Sequence, residues 1–249
     1  MFESTLPFGT PDLIRASAFE RYLDESVRVG DGVSSRLTTL SPSLAEDLSR
    51  FEQSRRPGEG LEVLEVLAAC VRHARQLLIH LRDDSLVIPL TVYPYERLVH
   101  CPVRMEQLLA SRLTELQVLH IEPAVLRSPS SGDSALIGAP ECYSPLDPLL
   151  WELALRGGRE ELLPEIAGMA AYRIAPGADL HGLNLGGTLA AAVERLKRST
   201  TNLREIAEWP GFDRARATRL LNGLYLLAGL MVTRTHPAAT NEGWFGGSR

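Results

Sequence analysis

Residues 188–236 constrain the fold more than any other part of the chain, because apolar periodicity, caps and breaks follow one another there in a fixed order. Leu189, Ala192, Val193 and Leu196 recur at the i, i+3, i+4, i+7 spacing of one helical face, and the pattern stops at Ser199-Thr200-Thr201. Asn202 is a helix-capping residue with Glu205 three positions later, a capping-box pair that opens a short second helix ending at Trp209. Pro210-Gly211-Phe212 breaks it. Asp213 caps a third helix that the pattern carries to Ala228, and Gly229 is placed to end it in a left-handed conformation. The six residues from Leu230 to Thr235 follow as a short strand.

Helix, short capped helix, Pro-Gly turn, longer capped helix, Gly-Leu and strand is the order that a winged helix-turn-helix requires. The stretches Leu203-Arg204-Glu205-Ile206-Ala207, Leu220-Leu221-Asn222-Gly223-Leu224 and Ala228-Gly229-Leu230 resemble the winged-helix superfamily. In that superfamily helices two and three form the turn, and a Gly-Leu pair leads into the wing. The resemblance implies either DNA binding or protein docking and dimerisation, and the fold does not choose between them. For DNA, the groove-facing residues would be Arg214, Arg216, Arg219 and Asn222, with Arg234 on the wing. For docking, the third helix carries more apolar surface than one core-facing stripe uses, which makes Leu220, Tyr225 and Leu226 interface candidates.

Charge divides unevenly along the chain. Residues 180–249 hold nine Lys or Arg and five Asp or Glu, a net of +4. Of 26 basic and 31 acidic residues in all, 17 and 26 remain for residues 1–179, a net of −9. A mildly basic module on an acidic body is compatible with phosphate contact, yet the acidic whole favours a protein partner or self-association.

The 249 residues, 45% of them hydrophobic, suffice for one large or two medium cores. No apolar run approaches the ~18 residues of a membrane span. The opening Met1-Phe2-Glu3-Ser4-Thr5 lacks the basic start of a secretory signal, and three cysteines do not form a disulfide framework. A cytoplasmic protein is expected, and abundant Ala, Leu and Arg with scarce Lys suggests a bacterial source.

The expected fold class is α+β: an α+β domain over 1–126, a linker or exposed loop over 127–145 rich in Ser, Pro and Gly, and a mostly helical domain over 146–249 that ends in the winged-helix-like module. In the first domain, Asp12 caps a helix through Leu23. Residues 26–29 form a possible strand, followed by a turn at Gly30-Asp31-Gly32. Ser41-Pro42 starts a helix with Leu44, Leu48 and Phe51 on one face, and Pro57-Gly58-Glu59-Gly60 breaks the chain before a core helix over 61–76. Residues 77–81, 86–93 and 97–101 form an antiparallel meander turning at Asp83-Asp84, with Pro89 confining its strand to an edge or marking a bulge. A helix over 105–116 and a strand over 118–121 complete it. In the second domain, helices are expected around 149–155 and over 160–169 despite Pro164.

Candidate chemistry is thin. Cys70-x-x-His73 and His100-Cys101 hold the usual zinc-ligating types, but neighbours on a strand point to opposite faces, so one ion can hardly use both. The same geometry separates His100 as a base from Cys101 as a thiol nucleophile. Gly182-Leu-Asn-Leu-Gly186-Gly187 lacks the Gly-Lys-Ser/Thr ending of a phosphate loop. No catalytic residue, metal or cofactor is assigned. Tyr93 and Tyr95 flank Pro94 in a turn and are further interface candidates, and Trp244-Phe245 forms a frayed or docking tail. The sequence therefore points to a non-enzymatic regulatory or adaptor protein, with a DNA-binding transcriptional regulator as the alternative.

Overall fold

The computed structural model describes residues 13–28, 41–53, 62–132 and 134–242. The turn at Gly30-Asp31-Gly32, the break at Pro57-Gly58-Glu59-Gly60 and the tail at Trp244-Phe245 lie outside the described residues. The chain divides into two compact units, Met1–Leu146 and Asp147–Arg249. It is an α+β protein built around small antiparallel sheets.

In the first unit, β1 (Ile14–Arg15) leads into α1 (Ala16–Arg28), which runs on over the start of the expected strand at 26–29. Two helices follow, α2 (Pro42–Gln53) and α3 (Val63–Arg72), and they pack on each other. Leu44, Leu48 and Phe51 of α2 are all buried, as their spacing requires. Next come β2 (Leu77–Asp83) and β3 (Leu86–Tyr93), a hairpin whose register closes at Asp83 opposite Leu86. Asp84 takes the left-handed conformation there with φ 52°, which Asp tolerates better than most residues. With β4 (Leu98–His100), β5 (Gln117–Pro123) and β6 (Tyr143–Pro145), the strands stand in the order β5-β2-β3-β4-β6, and β1 also pairs with β3.

Two expectations need correction in this unit. Pro89 lies in an interior strand rather than at the sheet edge. On the side away from β2, β1 pairs only with Leu86 and Val87 and β4 only with Thr91, Val92 and Tyr93. Residues 88–90 face a gap between these two short neighbours, so a missing N–H there breaks no ladder bond on that side. The helix over 105–116 stops early as α4 (Met105–Ala110), where the Ser111 hydroxyl donates to the Leu108 carbonyl at 2.8 Å. Residues 127–145, expected as a linker or exposed loop, fall inside the first unit. They supply β6, which pairs with β4, and the Tyr143 hydroxyl ties the segment together by accepting from the Gly138 N–H at 3.0 Å and donating to the Arg127 carbonyl at 2.7 Å.

The second unit opens in α5 (Leu146–Arg156), which buries Leu149, Leu150, Trp151, Leu153 and Ala154. The helix expected over 160–169 does not form: Pro164 has no N–H and cannot sit in a helix interior, so the chain turns and enters β7 (Gly168–Ile174). β7 is the middle strand of a three-stranded sheet with β8 (Leu230–Thr233) and β9 (Thr240–Glu242). This unit is therefore less purely helical than its sequence suggests.

The helices α6 (Thr188–Arg198), α7 (Leu203–Ala207) and α8 (Arg214–Leu226) fall where periodicity and caps place them. The Asn202 side chain accepts the Glu205 N–H at 2.9 Å, and Asp213 accepts the Arg216 N–H at 2.7 Å. Glu205 departs from a reciprocal capping box, because its carboxylate takes the Thr201 hydroxyl and the Asn202 side-chain amide. At the other end of α8 the left-handed residue is Ala228, φ 54°, not Gly229. The Gly229 N–H instead reaches back to the Leu224 carbonyl at 2.8 Å.

Candidate functional site

Two groups stand out among the arginines of the second unit. One group is bound to the protein's own backbone. Arg234 donates to the carbonyls of Glu165, Ala167 and Met169, the last at 3.0 Å, and so clamps the turn before β7 instead of standing free on a wing. Arg219 donates to the Arg159 carbonyl at 3.4 Å and approaches Glu160 at 3.5 Å. Asn222 is 0% exposed, accepts the Leu163 N–H at 2.9 Å and donates to the Glu161 carbonyl at 3.0 Å. Of the five residues assigned to a DNA groove, Asn222 is buried, Arg219 is half-buried, and Arg214, Arg216 and Arg234 are exposed, Arg234 with its guanidinium bonded to three backbone carbonyls.

The second group surrounds the turn between α7 and α8, and sequence alone does not reveal it. The Arg195 guanidinium of α6 lies over the Trp209 ring at 4.6 Å, and that of Arg216 lies over the Phe212 ring at 5.2 Å. Trp209 and Phe212 meet edge to face at 6.3 Å. Trp209 is buried, and Gly211 between the two rings takes φ 76°, where a Cβ would strike Thr188 at 2.8 Å. Each residue of this row reads separately as a solvated arginine or a core aromatic. Only the fold brings them together.

The apolar interface candidates also need correction. Leu220 and Leu226 are 0% and 2% exposed and belong to the core, while Tyr225 is half-buried. The excess apolar surface on α8 arises because the middle of this helix is enclosed on more than one side: Ala217, Thr218 and every residue from Leu220 to Leu224 are buried. In the first unit Tyr93 is fully buried with its ring 5.9 Å from Tyr143, whereas Tyr95, 87% exposed, is available for contact.

Several titratable groups of the first unit are buried or paired. Cys70 is buried and its thiol donates to the Arg75 carbonyl at 2.9 Å, while burial raises its pKa strongly. Burial pushes the Cys101 thiol up to about 11, well away from thiolate chemistry, and lowers the adjacent His100 imidazole. His73 does not join Cys70. It reaches the Asp47 carboxylate at 2.6 Å and the Ser43 hydroxyl at 3.4 Å, and with Arg72 it pins α2 to α3. Burial raises the Asp47 carboxyl, but the His73 hydrogen bond and the Arg72 guanidinium outweigh it and hold the group below its ordinary range. His80 and His120 face each other across β2 and β5 at 5.8 Å under Phe19 of α1. Burial, opposed by Glu122 and aided by His120, pushes the His80 imidazole down to about 4.

Among the described residues, no group of three or more His, Cys, Asp or Glu side chains is placed to hold a metal ion, and no helix is long and apolar enough to cross a membrane. These features define an α+β chain of two compact units, the second carrying the helices α6, α7 and α8 and a small antiparallel sheet. No family model, curated protein or solved structure matches it.

Proposed function

We propose that this chain is a non-enzymatic regulatory or adaptor protein of the cytoplasm, and that residues 188–236 form a winged-helix-type module that docks on protein or on a second copy. The observation that carries this reading is the inward use of the base-reading candidates. Asn222 is wholly buried, and Arg219 and Arg234 are bound to backbone carbonyls, so a groove would meet little besides Arg214 and Arg216. Sequence readout needs side chains free to reach base edges. The exposed Tyr95 of the first unit offers a second anchor of the type that interfaces favour.

The DNA-regulator reading keeps the exposed Arg214 and Arg216 and the net charge of +4 over residues 180–249 in its support. Fluorescence anisotropy of labelled random duplex DNA, titrated with the full chain at low and physiological salt, separates the two. Docking predicts no salt-steep binding, together with self-association or capture of a protein partner in sedimentation velocity. Duplex binding that falls steeply with salt and disappears in Arg214→Ala/Arg216→Ala would overturn the docking reading in favour of DNA.

A further inference from the structure

We infer that the row Arg195–Trp209–Phe212–Arg216 is the contact point of the docking module, and that it recognises an acidic protein segment bearing two carboxylates within about five residues of each other. This rests on the docking reading above and specifies the partner's chemistry.

Among the described residues, neither Arg195 nor Arg216 has an acidic partner, although the surrounding charges are largely matched. Lys197 pairs with Glu194 at 2.8 Å, and Arg204 lies 3.9 Å from Glu208. Four other arginines of the unit turn N–H groups to backbone carbonyls: Arg159 to Glu161 and Leu162, Arg173 to Lys197, and Arg219 and Arg234 as described, while Arg156 pairs with Glu152 at 3.2 Å. Arg195 and Arg216 instead lie on aromatic faces, and Arg216 makes one backbone bond, to the Gly211 carbonyl at 2.9 Å.

A guanidinium held over a ring still presents a fork of N–H groups, of which Arg216 spends Nη1 on the Gly211 carbonyl. That fork matches the two oxygens of a carboxylate or phosphate, which an ammonium cannot do. The ring contacts put the two guanidinium carbons no more than about 16 Å apart. An extended peptide rises ~3.3 Å per residue, so five residues cover that span.

The rim decides between carboxylate and phosphate. Glu205, Glu208 and Asp213 are all exposed around the same turn. A nucleic-acid backbone, charged at every step, brings more negative charge past these carboxylates than a peptide with only two acids, and Glu208 among them lies 3.9 Å from Arg204. Mixed charge around fixed cations suits a protein surface.

The test uses the full chain with 15N-labelled arginine and tryptophan, titrated with a Gly-Ser peptide carrying two glutamates five residues apart. Saturable shifts are expected at the Arg195 and Arg216 Nε–H and the Trp209 indole N–H. Arg195→Lys/Arg216→Lys, which keeps the charge and removes the fork, is expected to weaken binding about fivefold or more, with Arg204→Ala nearly unchanged. Equal affinity in the double lysine variant, or shifts spread over all exposed arginines, would overturn the site. If the peptide fails while the chain still self-associates or captures a partner and ignores DNA, the docking reading stands and this site is rejected. Salt-steep duplex binding that disappears in Arg214→Ala/Arg216→Ala rejects both.

Discussion

Asn222→Ala is expected to unfold the second unit more easily, by about 2–4 kcal/mol. The wild-type side chain is wholly buried and holds the segment before β7 at two points, the Leu163 N–H at 2.9 Å and the Glu161 carbonyl at 3.0 Å. Removing the amide strands the Leu163 N–H away from water, which costs roughly 1–3 kcal/mol. The Glu161 carbonyl lies at a partly exposed position and can recover a water, so its loss is nearer the ~1 kcal/mol of an ordinary net hydrogen bond. The void left by the shortened side chain adds to both. With a urea m-value of about 2 kcal/mol/M, the midpoint of the second unit's transition falls by about 1–2 M. Circular dichroism and Trp151 fluorescence follow it, since Trp151 is buried in the same unit. A shift below ~0.5 kcal/mol, the range of an uninvolved surface residue, would refute the argument and return Asn222 to the surface.

Two further predictions concern packing and pH. Gly223→Ala, a change that normally favours a helix, is expected to destabilise by ~1–3 kcal/mol in thermal melts, because the new Cβ would lie 2.9 Å from Trp151 Cε3; unchanged or raised stability refutes the close approach. His80 has its folded pKa lowered from 6.5 to about 4, so the unfolded chain takes up this proton first. Its contribution is complete above pH 6.5 and falls away as the pH drops toward 4, by ~3 kcal/mol at most, and urea unfolding of His80→Gln at pH 7 and 4.5 is expected to lose that part of the slope.

The parts of the fold that local chemistry determines were legible. Asn202 and Asp213 cap the helices that their positions announce, and Leu44, Leu48 and Phe51 bury the face that their spacing draws. The strand β7 was not legible. Ala170, Ala171 and Tyr172 are buried in succession and give no alternation, and the strands that pair with 168–174 lie about sixty to seventy residues on. The same distance hid the role of Asn222, whose partners Leu163 and Glu161 belong to that unread segment. Leu220 and Leu226 were misplaced for a related reason: surplus apolar surface on a helix marks a docking face only when no other part of the unit covers it, and here the unit covers it.

The central place of β7 bears on how the second unit assembles. Its neighbouring strands come from Leu230–Thr233 and Thr240–Glu242, so apart from the bridge between Tyr172 and Thr201 its pairing waits until nearly the whole unit is synthesised. Local turns and caps can close α6, α7 and α8 early, but joining residue 170 to residue 240 closes a loop of about seventy residues and is the entropically slow step. Until then the apolar side of 168–174 stays open on the growing chain, an interval in which a chaperone or a second nascent copy can reach it.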